Sequence, residues 1–162
     1  MDKQAVYRFL QERGISFEIT EHEAVYTMAE LAEVAVPYPQ ADAKNLFVRD
    51  DKRQNYYLIT VKGDKRVDLK AFRRAQQTRP LTFASPEELQ QLLGLTPGSV
   101  TPLGVLNEAE ARVQVFLDQD FFGDPDLIGV HPNENTATIW LKATDLETVI
   151  RAHGNPVQRV AL

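Results

Sequence analysis

The chain contains one segment that differs from the rest, Gly94-Leu95-Thr96-Pro97-Gly98-Ser99-Val100-Thr101-Pro102-Leu103-Gly104. Its three glycines and two prolines disfavour both helix and strand. Such a composition is typical of a backbone that turns sharply and leaves N–H groups free to face a ligand. We therefore take this glycine-rich segment, residues 94–104, as the first candidate for a functional loop.

Helix and strand signals flank the glycine-rich segment on both sides. Capping residues and apolar spacing predict five helices: one ending near Gly14, one over 28–35, one over 69–77 capped by Asp68, one from Ser85 to Gly94, and one capped from Thr144 and ending at Gly154. Alternating apolar residues predict strands at 15–19, 46–49, 56–61, 113–117, 136–141 and 157–160. The strands outnumber what simple βαβ alternation gives. We expect an α/β (α+β) fold, a mixed β-sheet with flanking helices, as one domain over residues 1–162.

Composition narrows the possible function classes. Hydrophobic residues make up 43% and charged residues 25%, the balance of an ordinary soluble globular protein. The absence of cysteine excludes disulfides, thiolate metal sites and cysteine nucleophiles. The histidines at 22, 131 and 153 lack metal-ligand spacing, so we expect no metal and no cofactor. With no signal sequence or membrane-length apolar run, we expect a cytoplasmic protein without membrane association.

The net charge of −5 hides a local excess of positive charge. Residues 62–79 hold seven basic and two acidic side chains, +5 in total, so the rest of the chain carries −10. A basic patch on an acidic protein suits a polyanion held at one place. A solvated helix face is the alternative interpretation.

Three motifs in order carry a resemblance to a known family: Lys44-Asn45-Leu46-Phe47, the glycine-rich segment, and Gly129-Val130-His131-Pro132. They resemble the signature of the YbaK/ProX family of free-standing aminoacyl-tRNA editing proteins, and the resemblance covers nearly the whole chain. Residues 23–28 and the overall length are more similar to the ProX/PrdX branch, which deacylates alanyl-tRNA(Pro), than to the cysteine-specific branch. The resemblance implies a curved, partly closed mixed sheet surrounded by helices.

The resemblance also implies roles for individual residues. It makes Lys44, Gly98, Pro102 and His131 the catalytic candidates, with the loop amides facing the terminal ribose and the scissile carbonyl. Candidates for substrate binding are Asn45, Ser99, Thr101, Gly129, Pro132, Tyr26, Thr27, Met28 and Phe47. For the last four, core packing is an equally good interpretation. Ser99 is not read as a nucleophile, because no G-x-S-x-G elbow surrounds it.

The implied partner is the acceptor end of mischarged tRNA(Pro), with prolyl-tRNA synthetase as a transient second partner. The candidates for phosphate contact are Lys52, Lys65, Arg66, Lys70, Arg73, Arg74 and Arg79. The sequence does not determine the oligomeric state, and a monomer is expected. Two alternatives stay open: deacylation of cysteinyl-tRNA(Pro) or another small aminoacyl-tRNA, and a non-catalytic module of the same fold that binds tRNA or a synthetase.

Overall fold

The computed structural model describes residues 1–24, 29 and 35–162. The helix predicted over 28–35 and the pocket candidates Tyr26, Thr27 and Met28 lie outside the described residues. The helices of the described part are α1 (Lys3–Glu12), α2 (Leu69–Gln76), α3 (Pro86–Leu93) and α4 (Ala143–His153), with 3-10 turns at Pro39–Ala41, Pro102–Asn107 and Gln119–Phe121. The strands are β1 (Phe17–Glu21), β2 (Ala43–Asp50), β3 (Tyr56–Lys62), β4 (Leu81–Phe83), β5 (Val113–Asp118), β6 (Ile128–Val130), β7 (Ala137–Leu141) and β8 (Val157–Val160).

The strands form two sheets in the described part of the chain. One is antiparallel, in the order β1-β7-β6. The other is mixed, in the order β4-β2-β3-β5-β8, with β3-β5 and β5-β8 parallel. The predicted mixed α/β architecture is confirmed. The strands are divided between two sheets that do not close, however, where a single, partly closed sheet was expected.

An isolated parallel bridge between Asp42 and Gly129 joins the two sheets. Asp42 directly precedes β2 of the mixed sheet, and Gly129 is the middle residue of β6 in the antiparallel sheet. We call this bridge the seam. It fixes the position of one sheet relative to the other, because each strand continues from it into its own sheet.

Apolar side chains fill both faces of the mixed sheet. On one face the core includes Leu10 of α1, Leu93 of α3 and Ile150 of α4. On the other face Phe72 of α2 packs edge-on against Phe116 of β5, with ring centroids 4.9 Å apart. Each helix of the described part is too short or too polar to span a lipid bilayer.

The helix ends show which caps can be predicted from neighbouring residues in the sequence. Asp68 caps α2 by accepting from the amides of Lys70 and Ala71, and Ser85 forms the predicted capping box with Glu88. The cap predicted at Thr144 is wrong, because Lys142, two residues earlier, occupies the cap position and α4 begins at Ala143. Asp126, from the preceding loop, accepts from the Thr144 hydroxyl at 2.6 Å and from its amide at 3.2 Å. A distant carboxylate thus replaces a local cap.

Glu88 of α3 also links the helix to the mixed sheet. Its carboxylate accepts from the Tyr56 hydroxyl at 2.7 Å and from Arg49 Nε at 3.0 Å. Burial acts to raise the pKa of Glu88, but hydrogen bonds from Tyr56, the Ser85 amide and Arg49 hold that pKa at about 2. The ionised carboxylate therefore stabilises the junction between α3 and β2.

Replacing Glu88 with Gln is expected to lower the free energy of unfolding at pH 7 by about 1 to 3 kcal/mol, since charge-assisted bonds at a mostly buried site are lost. Because the folded-state pKa is depressed, the stabilisation is present above about pH 4.5 and disappears as the pH falls towards 2. Thermal or urea unfolding of both proteins across this range measures the effect. Glu87→Gln, an exposed change in the same turn, is the control. An equal loss in the two variants would contradict the proposed role.

Candidate functional site

The seam brings two of the three sequence motifs together. Lys44 lies two residues beyond Asp42 on β2, and His131 lies two residues beyond Gly129, just after β6. The lysine and the histidine therefore leave the same junction on strands of different sheets. This junction is the candidate functional site.

Gly129 has a structural reason to be glycine. Its cross-strand partner on β7 is Trp140, whose ring lies over it so closely that a Cβ atom at position 129 would overlap the ring. Trp140 is itself held by a hydrogen bond to Thr20 Oγ1 at 2.9 Å and by an edge-on contact with Tyr38. Gly129 thus acts at the site by allowing the close approach that forms the seam.

His131 is held in one tautomer. Its Nδ1 lies 2.9 Å from the carbonyl oxygen of Ala137, which can only accept, so Nδ1 carries the hydrogen and donates. Burial lowers the pKa of His131, with the hydrogen bond to Ala137 opposing the shift and the charge on His22 adding to it. The ring is therefore neutral at pH 7, and its Nε2 lone pair has no partner among the described residues.

His22 forms the second part of the site, although the sequence pattern gives no reason to single it out. It follows β1, and its ring lies 6.1 Å from that of His131, edge to face. Its Nδ1 donates to the carbonyl of Glu23 at 2.8 Å, and its Nε2 lies 3.0 Å from the Thr138 hydroxyl. Both nitrogens are thus engaged, and the ring forms a fixed wall beside His131.

Asp42 supplies a buried carboxylate at the same junction. Only 9% of the residue is exposed. Burial raises the pKa of Asp42 to about 6, against the opposing effects of the Ala43 amide and of the positive charge on His22. Its backbone is fixed as well, because the Asp42 carbonyl accepts from the Gly63 amide at 2.9 Å.

Lys44 and Asn45 project to opposite faces of β2, as neighbours on a strand do. The Lys44 ammonium donates to the backbone carbonyl of Lys65 at 2.6 Å, and its other two hydrogens have no acceptor among the described residues. The Asn45 side-chain oxygen accepts from the Thr60 hydroxyl at 2.7 Å, across the strand pair. Phe47 is buried in the core and stacks on Tyr56, so its packing role is established.

The glycine-rich segment is mostly buried and internally bonded. The Ser99 hydroxyl donates to the Thr96 carbonyl at 2.8 Å, which agrees with its exclusion as a nucleophile. Thr101 caps the following 3-10 turn, and Pro102 is buried at the start of that turn. Gly98 has φ of 91°, a left-handed conformation that favours glycine. The amides of Gly98 and Val100 make no hydrogen bond to another described residue and can face a ligand.

The basic residues of the patch fall into two groups. Lys65 lies between Asp118 and Asp120, at 3.0 and 2.6 Å, and Arg79 pairs with Asp51 at 2.7 Å. Their charges are compensated within the protein. The other five candidates for phosphate contact are exposed and have no ion pair among the described residues: Lys52, Arg66, Lys70, Arg73 and Arg74.

Helix α2 carries a cleft lined by basic side chains. Lys70, Arg73, Arg74 and Gln77 are spaced so that they share one helix face, and with Thr78 they line a cleft of about 410 Å³. Elsewhere, the histidine and acidic side chains of the described residues form no cluster of three suited to a metal ion.

Sequence reasoning missed two residues of the candidate site, Asp42 and His22. For Asp42 a signal exists, since residues two apart on a strand share a face and Asp42 precedes Lys44 by two. For His22 the decisive contact is with Thr138 on β7, which is 116 positions away in sequence. Such a pairing is set by strand register, and nothing in the sequence near His22 reveals it.

Comparison with known proteins gives consistent results. The model of the aminoacyl-tRNA editing domain family matches residues 22–149. The prolyl-tRNA editing protein ProX of Acetoanaerobium sticklandii is 39% identical over 160 residues, covering 99% of this chain and 97% of that protein. The prolyl-tRNA synthetase associated domain-containing protein 1 of Mus musculus is 30% identical over 145 residues, covering 88% and 85%.

A similar fold occurs in a solved structure. The crystal structure of a candidate trans-editing enzyme for prolyl-tRNA synthetase aligns with a TM-score of 0.73 and 24% identity, covering 99% of this chain and 96% of that one. At this identity the likeness concerns the fold alone.

Asp42→Asn is expected to stabilise the protein at neutral pH. A raised folded-state pKa means that the native state binds the proton more tightly, so stability falls as the pH rises from about 4 to about 6. Asparagine removes this penalty, and the free energy of unfolding at pH 7.5 should increase by about 1 to 3 kcal/mol, with no gain below pH 4. Urea unfolding at both pH values tests this, with exposed Asp64→Asn as the control. A loss of stability at pH 7.5 would disprove it.

Proposed function

The chain belongs to the family of aminoacyl-tRNA editing domains, and on this basis we propose that it is a trans-editing hydrolase that deacylates mischarged alanyl-tRNA(Pro). The observation that carries the proposal is the junction at the seam, where Lys44 and a neutral, oriented His131 leave adjacent strands. The 39% identity over 99% of the chain to a prolyl-tRNA editing protein supports the class of substrate.

The reaction is hydrolysis of the ester between the amino acid and the terminal ribose. Water adds to the carbonyl carbon, the bond to the ribose oxygen breaks, and that oxygen takes a proton. Negative charge develops on the carbonyl oxygen in the transition state, so fixed N–H donors accelerate the step. The amides of Gly98 and Val100 and the two unused hydrogens of Lys44 are the donors that we assign to this task.

His131 contributes through its free Nε2. A neutral imidazole with Nδ1–H bonded to a carbonyl presents Nε2 as an acceptor, which can hold either the attacking water or an N–H of the substrate. We assign His131 to positioning in the pocket rather than to general-base catalysis, because its lowered pKa makes it a weak base.

The choice of amino acid follows from exclusion by size. A pocket rejects a side chain that is too large far better than it rejects one that lacks a methylene group. An editing site that removes alanine must therefore exclude proline sterically. We assign alanine specificity from the resemblance of residues 23–28 to the alanine-specific branch.

The basic cleft on α2 is the surface that we assign to tRNA phosphates. Lys70, Arg73 and Arg74 lie on one helix face and have no ion pair in the described part of the chain, while the sequence outside residues 62–79 carries a net negative charge. Repulsion between the acidic part of the protein and the tRNA phosphates then limits non-specific binding, so the tRNA binds mainly at the cleft.

Deacylation of alanyl-, cysteinyl- and prolyl-tRNA(Pro) by the wild type and by Lys44→Ala tests the proposed reaction. We expect release of alanine by the wild type and a loss of about 100-fold or more in kcat for the variant, since a donor to the developing oxyanion is removed. Lys142→Ala, an exposed change, is the control. Preference for cysteine would overturn the specificity, and no hydrolysis of any substrate would favour a non-catalytic binding module.

Arg73→Ala and Arg74→Ala are each expected to weaken tRNA binding and to reduce the salt dependence. The slope of log K against log salt should fall by about 1 for each phosphate contact that is lost. Fluorescence anisotropy with labelled tRNA(Pro) between about 50 and about 200 mM salt measures this slope. Arg8→Ala, on the exposed face of α1, should leave the slope unchanged. An unchanged slope in the α2 variants would assign tRNA binding to another surface.

A further inference from the structure

The proposed substrate poses an electrostatic requirement that Lys44 and His131 meet only in part. The neutral His131 ring can accept one N–H bond through Nε2, but neither residue supplies a negative charge. An aminoacyl ester carries its α-amino group next to the reacting carbonyl, and such a group is largely protonated at neutral pH, given a pKa near that of a chain terminus. A pocket that excludes water must offer this ammonium acceptors, preferably a carboxylate. Lys44 is itself cationic, so the acceptor must lie elsewhere at the junction.

Comparison of the buried carboxylates singles out Asp42. The described residues include five buried acidic side chains, at Asp42, Asp50, Glu108, Asp118 and Glu147. Asp50, Glu108 and Asp118 each accept hydrogen bonds from at least two residues. Glu147 accepts two bonds from Arg159 and forms a second ion pair with Arg151. Asp42 has only the adjacent Ala43 amide and no ion pair among the described residues.

Asp42 has no cationic side chain as a partner among the described residues, and a positively charged ligand would supply one. A buried carboxylate is normally paired, because the loss of hydration is costly without a cation or several donors. Among the described residues Asp42 lacks this ordinary compensation, and burial raises its pKa accordingly, which points to a site for an incoming cation rather than to a role in internal stability.

The position of Asp42 fits this role. It lies at the seam, on the same side of the strand as Lys44 two residues later, and close enough to His22 for the charges to interact. His22 in turn contacts the ring of His131. An amino acid held between Lys44 and His131 would therefore present its ammonium group towards the Asp42 carboxylate.

We propose that the Asp42 carboxylate binds the α-ammonium group of the aminoacyl moiety and thereby selects substrates with a free amino group. This inference rests on the proposed function, since it names a further recognition element of the same site. Asp42 contacts the ammonium group and none of the atoms of the bond that breaks, so its loss should affect substrate binding more than the chemical step.

The test compares alanyl-tRNA(Pro) with lactyl-tRNA(Pro), in which a hydroxyl replaces the ammonium at nearly constant size. For the wild type, kcat/KM should favour the alanyl ester by about tenfold or more, the usual effect of one charge-assisted hydrogen bond at a buried site. In Asp42→Asn this preference should fall to near 1, mainly through a higher KM for the alanyl ester. Asp64→Asn, the same substitution at an exposed position nearby, should retain the wild-type preference.

A second measurement tests the Asp42 contact by ligand binding alone, without hydrolysis of a substrate. Binding of the non-hydrolysable amides 3′-alanylamino-adenosine and 3′-lactylamino-adenosine is compared by calorimetry for the same three proteins, and Asp42→Asn should lose affinity for the alanyl amide only. Equal losses for both ligands, or no loss for either, would overturn the proposal. Failure of the wild type to hydrolyse alanyl-tRNA(Pro) while it still distinguishes the two amides would reject the proposed enzyme and leave the Asp42 site intact.

Discussion

The close approach of two backbones at the seam is the constraint on which the arrangement of the site depends. Because Gly129 has no side chain, the ring of Trp140 on the neighbouring strand β7 can lie directly over it. On its other side, Gly129 pairs through its backbone with Asp42. Trp140 is fixed in turn by Thr20 and Tyr38. A side chain at position 129 would displace the Trp140 ring or separate the two sheets, because protein interiors are close-packed and contain few voids.

The seam matters because the candidate site residues belong to different sheets. Lys44 depends on β2 and His131 on β6, and neither sheet alone could place both. The site residues lie on strands that the seam holds together, and each strand is fixed by its own sheet. This rigid support favours precise orientation of a reacting group. The glycine-rich segment follows the same logic, since most of it is bonded internally and its remaining amides are held in place.

The parts of the fold that were predictable are those set by neighbours in sequence. The caps of α2 and α3 involve residues within three positions of each other, and both are correct. The cap of α4 depends on Asp126, eighteen positions before Thr144, and the prediction there is wrong. Likewise the pairing of Lys65 with Asp118 spans 53 positions, and no local pattern shows that this lysine is compensated. The motifs thus predict a region for the candidate site, whereas the partners of each side chain are set by the register of the strands.

The five buried carboxylates differ in their hydrogen-bond partners, and the difference shows that Asp42 does not contribute to stability in the way that the other four do. Asp50, Glu108 and Asp118 accept hydrogen bonds from backbone amides of the turns that follow them, and Glu147 of α4 binds Arg159 of β8. Asp42 is buried to a similar extent, yet no such set of donors surrounds it in the described part of the chain, so its burial carries a desolvation cost at neutral pH. Selection for stability alone would favour asparagine or an apolar residue at this position. An acid at this position is explained by a cation that arrives with the ligand, which connects an unfavourable feature of the fold to the chemistry of the proposed substrate.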